Sequence, residues 1–266
     1  MEQKNQFKNG YTFNRIINGC WQLSSEHCLQ GHLDVRDALR AFHMLVDQGF
    51  TTFDCADIYT GVEEIIGEFV TSYKRDGNYR EDKIQVHTKF APDKSVLPTI
   101  NRAYTERIVD RSLMRMHREA LDLVQFHWWD FSIPGMMDTA FDLVRLQEKG
   151  KIRNIGMCNM DTERLKMMVE AGIPVVSNQA QYSVFDAGRS ARCWTTARRT
   201  ASTPSATARW PAGFWTSATW ARSMRRRRRA PRSSTCRSSR TRSAGTACRS
   251  CSSCCGTSRA STAFPL

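Results

Sequence analysis

The chain has 266 residues, which is long enough for one large α/β domain or two smaller domains with a sizeable core. Its net charge of +13 is unevenly distributed: residues 1–186 hold all 26 acidic residues and 22 of the 39 lysines and arginines, a net charge of −4, whereas residues 187–266 hold 17 arginines and no acidic residue. The composition therefore excludes a strongly basic body and assigns the basic character to the C-terminal segment alone.

The N-terminal residues and the apolar runs bear on the compartment of the chain. The opening MEQKNQFKNG is polar and lacks the basic-then-apolar pattern of a signal peptide, and no apolar run approaches the length of a membrane span. We therefore expect a soluble cytoplasmic protein without membrane contact. Six of the ten cysteines lie in residues 187–266, where no histidine occurs, so no metal site is expected. The other four, expected to be free thiols, are Cys20, Cys28, Cys55 and Cys158.

Short-range patterns predict a β-hairpin and a first helix near the N-terminus. Asn9-Gly10 lies between short alternating flanks, which is a hairpin signal. A helical pattern follows in DVRDALRAFHMLVDQG, with Asp34 as its cap and Gly49 as its stop. The apolar residues on one face of this helix are Val35, Leu39, Phe42 and Val46.

Six strand-like runs alternate with helical patterns along residues 1–186. The runs are RIINGCWQL, TTFDCA, IQVHTKF, LDLVQFHWW, IRNIGMCNM and PVVSNQAQY, and they begin near residues 15, 51, 84, 121, 152 and 174. Such spacing fits one βα unit per interval and predicts an α/β fold with a parallel sheet. Because the chain has no G-x-G-x-x-G turn and no P-loop string, a (β/α)8 TIM-type barrel is favoured over an open doubly wound sheet. Six of the eight units are recognisable, so the predicted barrel is incomplete.

Residues 187–266 are predicted to be a disordered tail that follows the barrel domain of residues 1–186. They contain no valine, no isoleucine and a single leucine, so they cannot bury enough apolar surface to offset the entropy of ordering. We hypothesise that a G+C-rich coding region is read out of frame after Asp186, because arginine, alanine, serine, threonine and cysteine dominate there. A nucleic-acid-binding arm centred on the run from Met224 to Arg232 is the less favoured alternative.

Polar residues stand at the ends of three successive predicted strands. Asp54 ends the second, Lys89 the third and His127 the fourth, and Tyr59 lies five residues after Asp54. Active sites of βα barrels lie at the carboxyl ends of the strands and in the following loops, so we expect these side chains at one rim. Each also has a structural explanation, as a cap, a loop aromatic or a core histidine, although an unpaired lysine is costly to bury.

These residues stand in segments that resemble the signature segments of the aldo-keto reductase family. The segments are FDCADIYTGVEEIIGEF, VHTKF, LVQFHWW, GKIRNIGMCNM and NQAQY, in the family's order and spacing, and they span about residues 15–186. The first contains Asp-x-x-x-x-Tyr and a following acidic residue at Glu63 or Glu64. The resemblance implies an NADP-dependent oxidoreductase that reduces an aldehyde or ketone to an alcohol.

The resemblance also implies a role for each residue of the rim. Tyr59 would give a proton to the developing alkoxide of the substrate. Lys89 would lower the pKa of the Tyr59 phenol, and Asp54 would pair with Lys89 and hold it in place. His127 would donate a hydrogen bond to the substrate oxygen.

Three further residues match the family's contacts with its cofactor, NADPH (NADP+). Asn159 and Gln179, at the ends of the fifth and sixth strands, match the residues that bind the nicotinamide carboxamide. Cys158 stands where the family usually has serine, and a thiol is the weaker hydrogen-bonding group. The aromatic residue that stacks on the nicotinamide and the basic segment that binds the 2′-phosphate should follow Asp186, where nothing matches them.

Three functions remain open on this evidence. The favoured one is an NADPH-dependent aldo-keto reductase that acts on a small carbonyl or alcohol substrate. The second is a catalytically incompetent remnant of such an enzyme, and the third is a basic binding module attached to a partial barrel.

Overall fold

The computed structural model of the chain describes residues 4–26, 33–75, 83–182 and 203–208. All of these residues belong to one compact unit, Met1–Ala212. The proposed boundary at Asp186, most of the predicted tail and the arginine run near its centre lie outside the described residues. In the part that is described, no helix combines the length and apolarity needed to cross a membrane.

A β-hairpin opens the fold, as the sequence predicts. Strands β1 (Lys4–Gln6) and β2 (Thr12–Asn14) pair in antiparallel register. Gly10 closes the turn with a φ of 90°, which glycine adopts readily, and its N–H donates to the carbonyl of Phe7 at 3.0 Å. The connection therefore runs over residues 7–11 and is longer than a two-residue hairpin turn.

Seven parallel strands form the main sheet, with helices between them. The strands are β3 (Asn18–Gly19), β4 (Thr52–Asp54), β5 (Gln85–Phe90), β6 (Leu123–His127), β7 (Ile155–Cys158), β8 (Val175–Tyr182) and β9 (Thr203–Ala208). The α-helices are α1 (Val35–Asp47), α2 (Val62–Arg75), α3 (Arg102–Arg115), α4 (Met136–Glu148) and α5 (Thr162–Glu170), and two 3-10 helices are Trp21–Leu23 and Lys94–Thr99. The six predicted strands and the five helices between them are therefore confirmed.

The order of the strands settles the choice between the two parallel architectures. Each strand pairs with the next one along the chain, without the reversal of order that defines a doubly wound sheet. Sequential parallel pairing is the order of a βα barrel. Among the described residues the outer strands β3 and β9 do not pair with each other, so the predicted incomplete barrel is confirmed.

The seventh strand comes from the C-terminal segment, where the sequence predicts none. β9 pairs with β8 over six positions, from Ser177 opposite Thr203 to Tyr182 opposite Ala208. The sequence gives no strand signal there because the segment lacks β-branched aliphatic residues. A ladder is formed by backbone groups, however, and an exposed strand edge accepts segments of weak intrinsic preference.

Helix α1 illustrates how local signals set the helix ends. The Asp34 carboxylate accepts hydrogen bonds from the N–H groups of Arg36 and Asp37, which satisfies donors that the first turn leaves free. Gly49 follows the helix with a φ of 94°, as a C-terminal stop requires. The predicted cap and stop are both confirmed.

Successive side chains along each strand alternate between the hydrophobic core under the helices and the opposite face of the sheet, which is the barrel interior. On β6, Val124 and Phe126 pack in the main hydrophobic core with residues of the surrounding helices. Leu123, Gln125 and His127 occupy the alternate positions, which place their side chains on the opposite face of the sheet. The helices thus cover one face, and the other face carries the polar groups of the rim.

The hairpin places aromatic side chains around a buried histidine of β5. His87 is 2% exposed, its ring lies 5.6 Å from that of Phe13, and its Nε2 lies 3.2 Å from the hydroxyl of Tyr11. Burial lowers the pKa of His87 to about 4, against a smaller opposing effect of the Asp54 charge. The folded chain therefore holds this imidazole in its neutral form.

This imidazole should make stability depend on pH. The folded pKa lies below the unfolded value of 6.5, so the free energy of unfolding should begin to fall below about pH 6.5 and lose about 3 kcal/mol by about pH 4. We expect His87→Phe, which keeps a ring in the cluster, to lack this decline in urea unfolding measured across that range. The control is His117→Asn, which removes an exposed histidine at a φ of 52° that asparagine tolerates. This variant should keep the decline of the wild type. If the free energy of unfolding of His87→Phe declined as much as that of the wild type, the decline would have to come from other titratable groups.

Candidate active site

The strand register brings the predicted site residues to one rim of the sheet. Lys89 on β5 is opposite Gln125 on β6, and two positions further His127 is opposite Cys158 on β7. Cys158 is in turn opposite Gln179 on β8. Because the carboxyl ends of parallel strands share one edge, these side chains converge there, together with Asp54 at the end of β4 and Tyr59 in the loop that follows it.

A buried ion pair lies at the centre of this rim. The Lys89 Nζ donates to Asp54 Oδ2 at 2.6 Å and to the carbonyl of Cys55 at 2.8 Å, and both charged residues are 7% exposed. Burial opposes the charge of Lys89, but the Asp54 carboxylate and further nearby groups outweigh it and raise the pKa of Lys89. Lys89 is therefore held as an ammonium.

Two amides complete the hydrogen bonding of the carboxylate. Asp54 Oδ1 accepts from Gln125 Nε2 at 2.9 Å and from Gln179 Nε2 at 2.8 Å. A buried carboxylate is tolerated when its oxygens are satisfied in this way. Gln125 is not at a strand end and is not among the predicted site residues, although its position two residues before His127 on one strand places both on the same face.

Tyr59 lies beside the ion pair and remains a phenol. The Lys89 Nζ is 5.2 Å from the centroid of the Tyr59 ring. Lys89 lowers the pKa of Tyr59, as expected, but burial raises this pKa by more, so the net shift is upward. The structure instead favours the protonated form, which can give up a proton.

The hydrogen bonding of His127 defines its tautomer. Its Nδ1 lies 3.0 Å from the carbonyl of Cys158, and because a carbonyl can only accept, Nδ1 must carry the proton. Burial lowers the pKa of His127, with a further contribution from Lys89, whereas the Cys158 carbonyl opposes this shift. In the neutral ring, Nε2 is then an acceptor. Donation from Nε2 to a substrate therefore requires the imidazolium.

The three residues expected near the nicotinamide lie at the ends of β7 and β8. The Cys158 Sγ is 4.0 Å from Gln179 Oε1, and the N–H of Asn159 donates to the Gln179 carbonyl at 2.7 Å. Asn159 is exposed and has a φ of 52°, a left-handed conformation that asparagine adopts more readily than most residues. The structure thus brings all of the predicted site residues to the same rim.

A second pair of buried carboxylates consists of Asp57 in the Tyr59 loop and Glu63 at the start of α2, and no sequence pattern assigns the pair a role. Burial raises the pKa of Asp57 to about 7, and the nearby Glu63 adds to this shift. Glu63 is fully buried, accepts from the Thr88 hydroxyl at 2.9 Å and pairs with Arg115 at 3.5 Å. The sequence does not distinguish Asp57 from its neighbours in the loop, because its hydrogen-bond partners Lys89 and Ala91 lie at the end of another strand.

Fold and site together define a class of protein: a parallel βα barrel, incomplete in the described residues, with a tyrosine, a lysine, an aspartate and a histidine at its carboxyl rim. The model of the aldo/keto reductase family matches residues 15–201. The chain belongs to the aldo/keto reductase family, whose members are NADP-dependent oxidoreductases.

Curated relatives agree with this assignment. The aldo-keto reductase YhdN of Bacillus subtilis is 29% identical over 191 residues, covering 70% of this chain and 55% of that protein. The methylglyoxal reductase DkgA of Escherichia coli is 23% identical over 190 residues, covering 71% of this chain and 61% of that protein. The match therefore spans little more than half the length of these relatives.

Solved structures share the fold. An aldo-keto reductase of the silkworm Bombyx mori in complex with NADPH has a TM-score of 0.68 at 21% identity, covering 83% of this chain and 66% of that chain. The holo form of an aldo-keto reductase from Bacillus halodurans has a TM-score of 0.63 at 20% identity, covering 80% of this chain and 72% of that chain.

Removal of the cation from the ion pair should destabilise the chain strongly. Lys89→Met leaves Asp54 buried without its partner, and we expect urea unfolding to show a loss of about 3–5 kcal/mol. The double variant Asp54→Asn/Lys89→Met should recover much of this loss, because no buried charge remains. Lys151→Met, at a partly exposed lysine that pairs with Glu106, is the control and should cost at most about 1 kcal/mol. Equal costs for the two single variants would contradict a buried, mutually dependent pair.

Proposed function

We propose that this chain is an NADPH-dependent carbonyl reductase that converts an aldehyde or ketone to an alcohol, with Tyr59 as the proton donor. The observation that carries the proposal is the position of the Tyr59 ring beside the Lys89 ammonium, which Asp54 holds in place. His127 lies at the same rim, at the end of the neighbouring strand. A phenol, a fixed cation and an imidazole suit proton transfer to a carbonyl oxygen that gains charge.

The residues present fit the nicotinamide end of NADPH. When bound, NADPH supplies the hydride that the carbonyl carbon accepts. Asn159 and Gln179 would hold the carboxamide: Asn159 is exposed at the rim, and the Oε1 of Gln179 faces the Cys158 thiol, a weak donor that an amide can replace. Solved relatives with NADP or NADPH support this cofactor. The residues for its 2′-phosphate would follow Asp186, outside the described ranges apart from β9.

The charges of the site support the direction of proton transfer. Tyr59 starts as a phenol and becomes a phenolate when its proton passes to the substrate oxygen. The Lys89 ammonium stabilises the phenolate at short range in a site of low dielectric. Asp54 compensates Lys89 before the reaction, and its two amide partners keep it from moving towards the phenol.

The open rim suits a small substrate with an apolar part. Ile58 and Trp129, which adjoin Tyr59 and His127 in sequence, are 42% and 49% exposed. The Trp129 ring meets the His127 ring edge to face at 4.3 Å, and its Nε1 donates to the carbonyl of Pro92 at 2.9 Å. Methylglyoxal is a suitable first substrate because methylglyoxal reductases are among the relatives.

Replacement of the proton donor should separate chemistry from binding. Tyr59→Phe removes the hydroxyl and keeps the ring, so we expect kcat for methylglyoxal reduction to fall at least about 100-fold. The Kd for NADPH, measured by quenching of tryptophan emission, should stay within about twofold, because the hydroxyl contributes to the reaction and not to the carboxamide contacts.

Tyr104→Phe, which removes a hydroxyl from an outer helix, is the matched control and should keep the wild-type kcat. A soluble, monodisperse wild-type chain without saturable NADPH binding would instead identify the incompetent remnant. Undiminished turnover in Tyr59→Phe would reject Tyr59 as the donor.

The tautomer of His127 should give turnover a distinct pH dependence. Since only the imidazolium can donate from Nε2, and its pKa lies below 6.5, kcat should rise as the pH falls from about 8 to about 5.5. His127→Gln carries an amide that can donate at any pH, so this rise should be absent from its kcat profile. The same profile in the variant would place the dependence on another group.

A further inference from the structure

The loop that carries Tyr59 is attached to the strand that carries Lys89 through Asp57. The N–H of Asp57 donates to the carbonyl of Lys89 at 3.2 Å. In the other direction, Asp57 Oδ1 accepts from the N–H of Ala91 at 3.1 Å. The two hydrogen bonds lie on either side of Phe90 and bind one residue of the loop to two points at the end of β5.

Helix α3 holds the same residue from a third direction. The Arg115 Nη1 donates to the carbonyl of Asp57 at 3.4 Å, and the same guanidinium pairs with Glu63 and Glu64 of α2 at 3.5 Å and 2.9 Å. Asp57 is 6% exposed, so water competes little for these bonds. Both the backbone and the side chain of Asp57 are therefore fixed.

The position of Asp57 determines the position of Tyr59, because one tight turn contains both residues. Tyr59 is two residues further along, and its N–H donates to the carbonyl of Ala56 at 3.1 Å, which closes a turn around Asp57. The carbonyl of Tyr59 then accepts from the N–H of Val62 at 3.0 Å, where α2 begins. A shift of Asp57 relative to β5 would thus move the phenol relative to the Lys89 ammonium.

We propose that Asp57 is a positioning residue for the reaction: its carboxylate oxygen, by accepting from Ala91, sets the distance between the Tyr59 hydroxyl and the Lys89 ammonium. This inference rests on the proposed function of Tyr59 as proton donor. The role needs an acceptor oxygen at Oδ1 and no negative charge, because the partner is a backbone N–H. Asparagine can supply that oxygen, whereas alanine cannot.

Two variants of Asp57 test this role. The quantity measured is kcat for methylglyoxal reduction, calculated from the concentration of NADPH-binding sites so that misfolded chains are not counted. Asp57→Ala should lower kcat about 10–100-fold, because misplacement of a catalytic group by about 1 Å has effects of this size. The Kd for NADPH should be unchanged. Asp57→Asn should restore kcat to within about threefold of the wild type, since the acceptor oxygen is retained.

A matched control is present at the opposite end of the same strand. Asp122 also accepts from a backbone N–H of β5, that of Val86 at 2.9 Å, and pairs with Arg118. Asp122→Asn should lower the midpoint of urea unfolding and keep the wild-type kcat. Wild-type kcat in Asp57→Ala, or equal loss in Asp57→Ala and Asp57→Asn, would overturn the proposal.

Amide hydrogen exchange tests the same attachment without turnover. In Asp57→Ala, exchange should rise at least about tenfold in residues 56–62 and 89–92 and stay unchanged in β6, because local opening frees only the loop and its anchor. Exchange equal to the wild type in both segments would overturn the proposal. Absence of turnover in the wild type would refute the proposed function, and the exchange result would still decide whether Asp57 holds the loop.

Discussion

The buried ion pair between Asp54 and Lys89 is the interaction on which the rest of the site depends. Moving either charge from water into the sheet interior is expensive, and the pair persists because each charge has its opposite and further hydrogen-bonding partners. Gln125 and Gln179 approach the carboxylate from two further strands. Four strands of the sheet are therefore fixed at one point, which is also the point where chemistry would take place.

The electrostatics of the rim follow from this pair and from burial. Lys89 stays charged because Asp54 outweighs the cost of burial, and Tyr59 stays protonated because burial outweighs Lys89. His127 stays mostly neutral, with its proton directed at a carbonyl. This arrangement suits the proposed proton transfer, because the phenol keeps its proton in the resting site and the ammonium would stabilise a phenolate.

The sequence predicts the strand-end residues well because period and position are local properties. Asp54, Lys89 and His127 each end an apolar run, so parallel pairing alone brings them together. The contribution of Gln125 could not be predicted, since its partner is a carboxylate two strands away. The net pKa shift of Tyr59 depends on tertiary burial, and β9 forms through backbone pairing in a segment without β-branched aliphatic side chains. In each of these cases the outcome depends on contacts between residues that are far apart in the sequence.

We propose that the site built around this ion pair adds a hydride and a proton to a carbonyl group. The most direct measurement is mass analysis of the alcohol formed from methylglyoxal by the full chain with NADPH deuterated at both C4 positions. We expect one deuterium on the carbinol carbon for each NADPH oxidised. Oxidation of NADPH without deuterium in the alcohol, or no alcohol from a folded chain that binds NADPH, would contradict it.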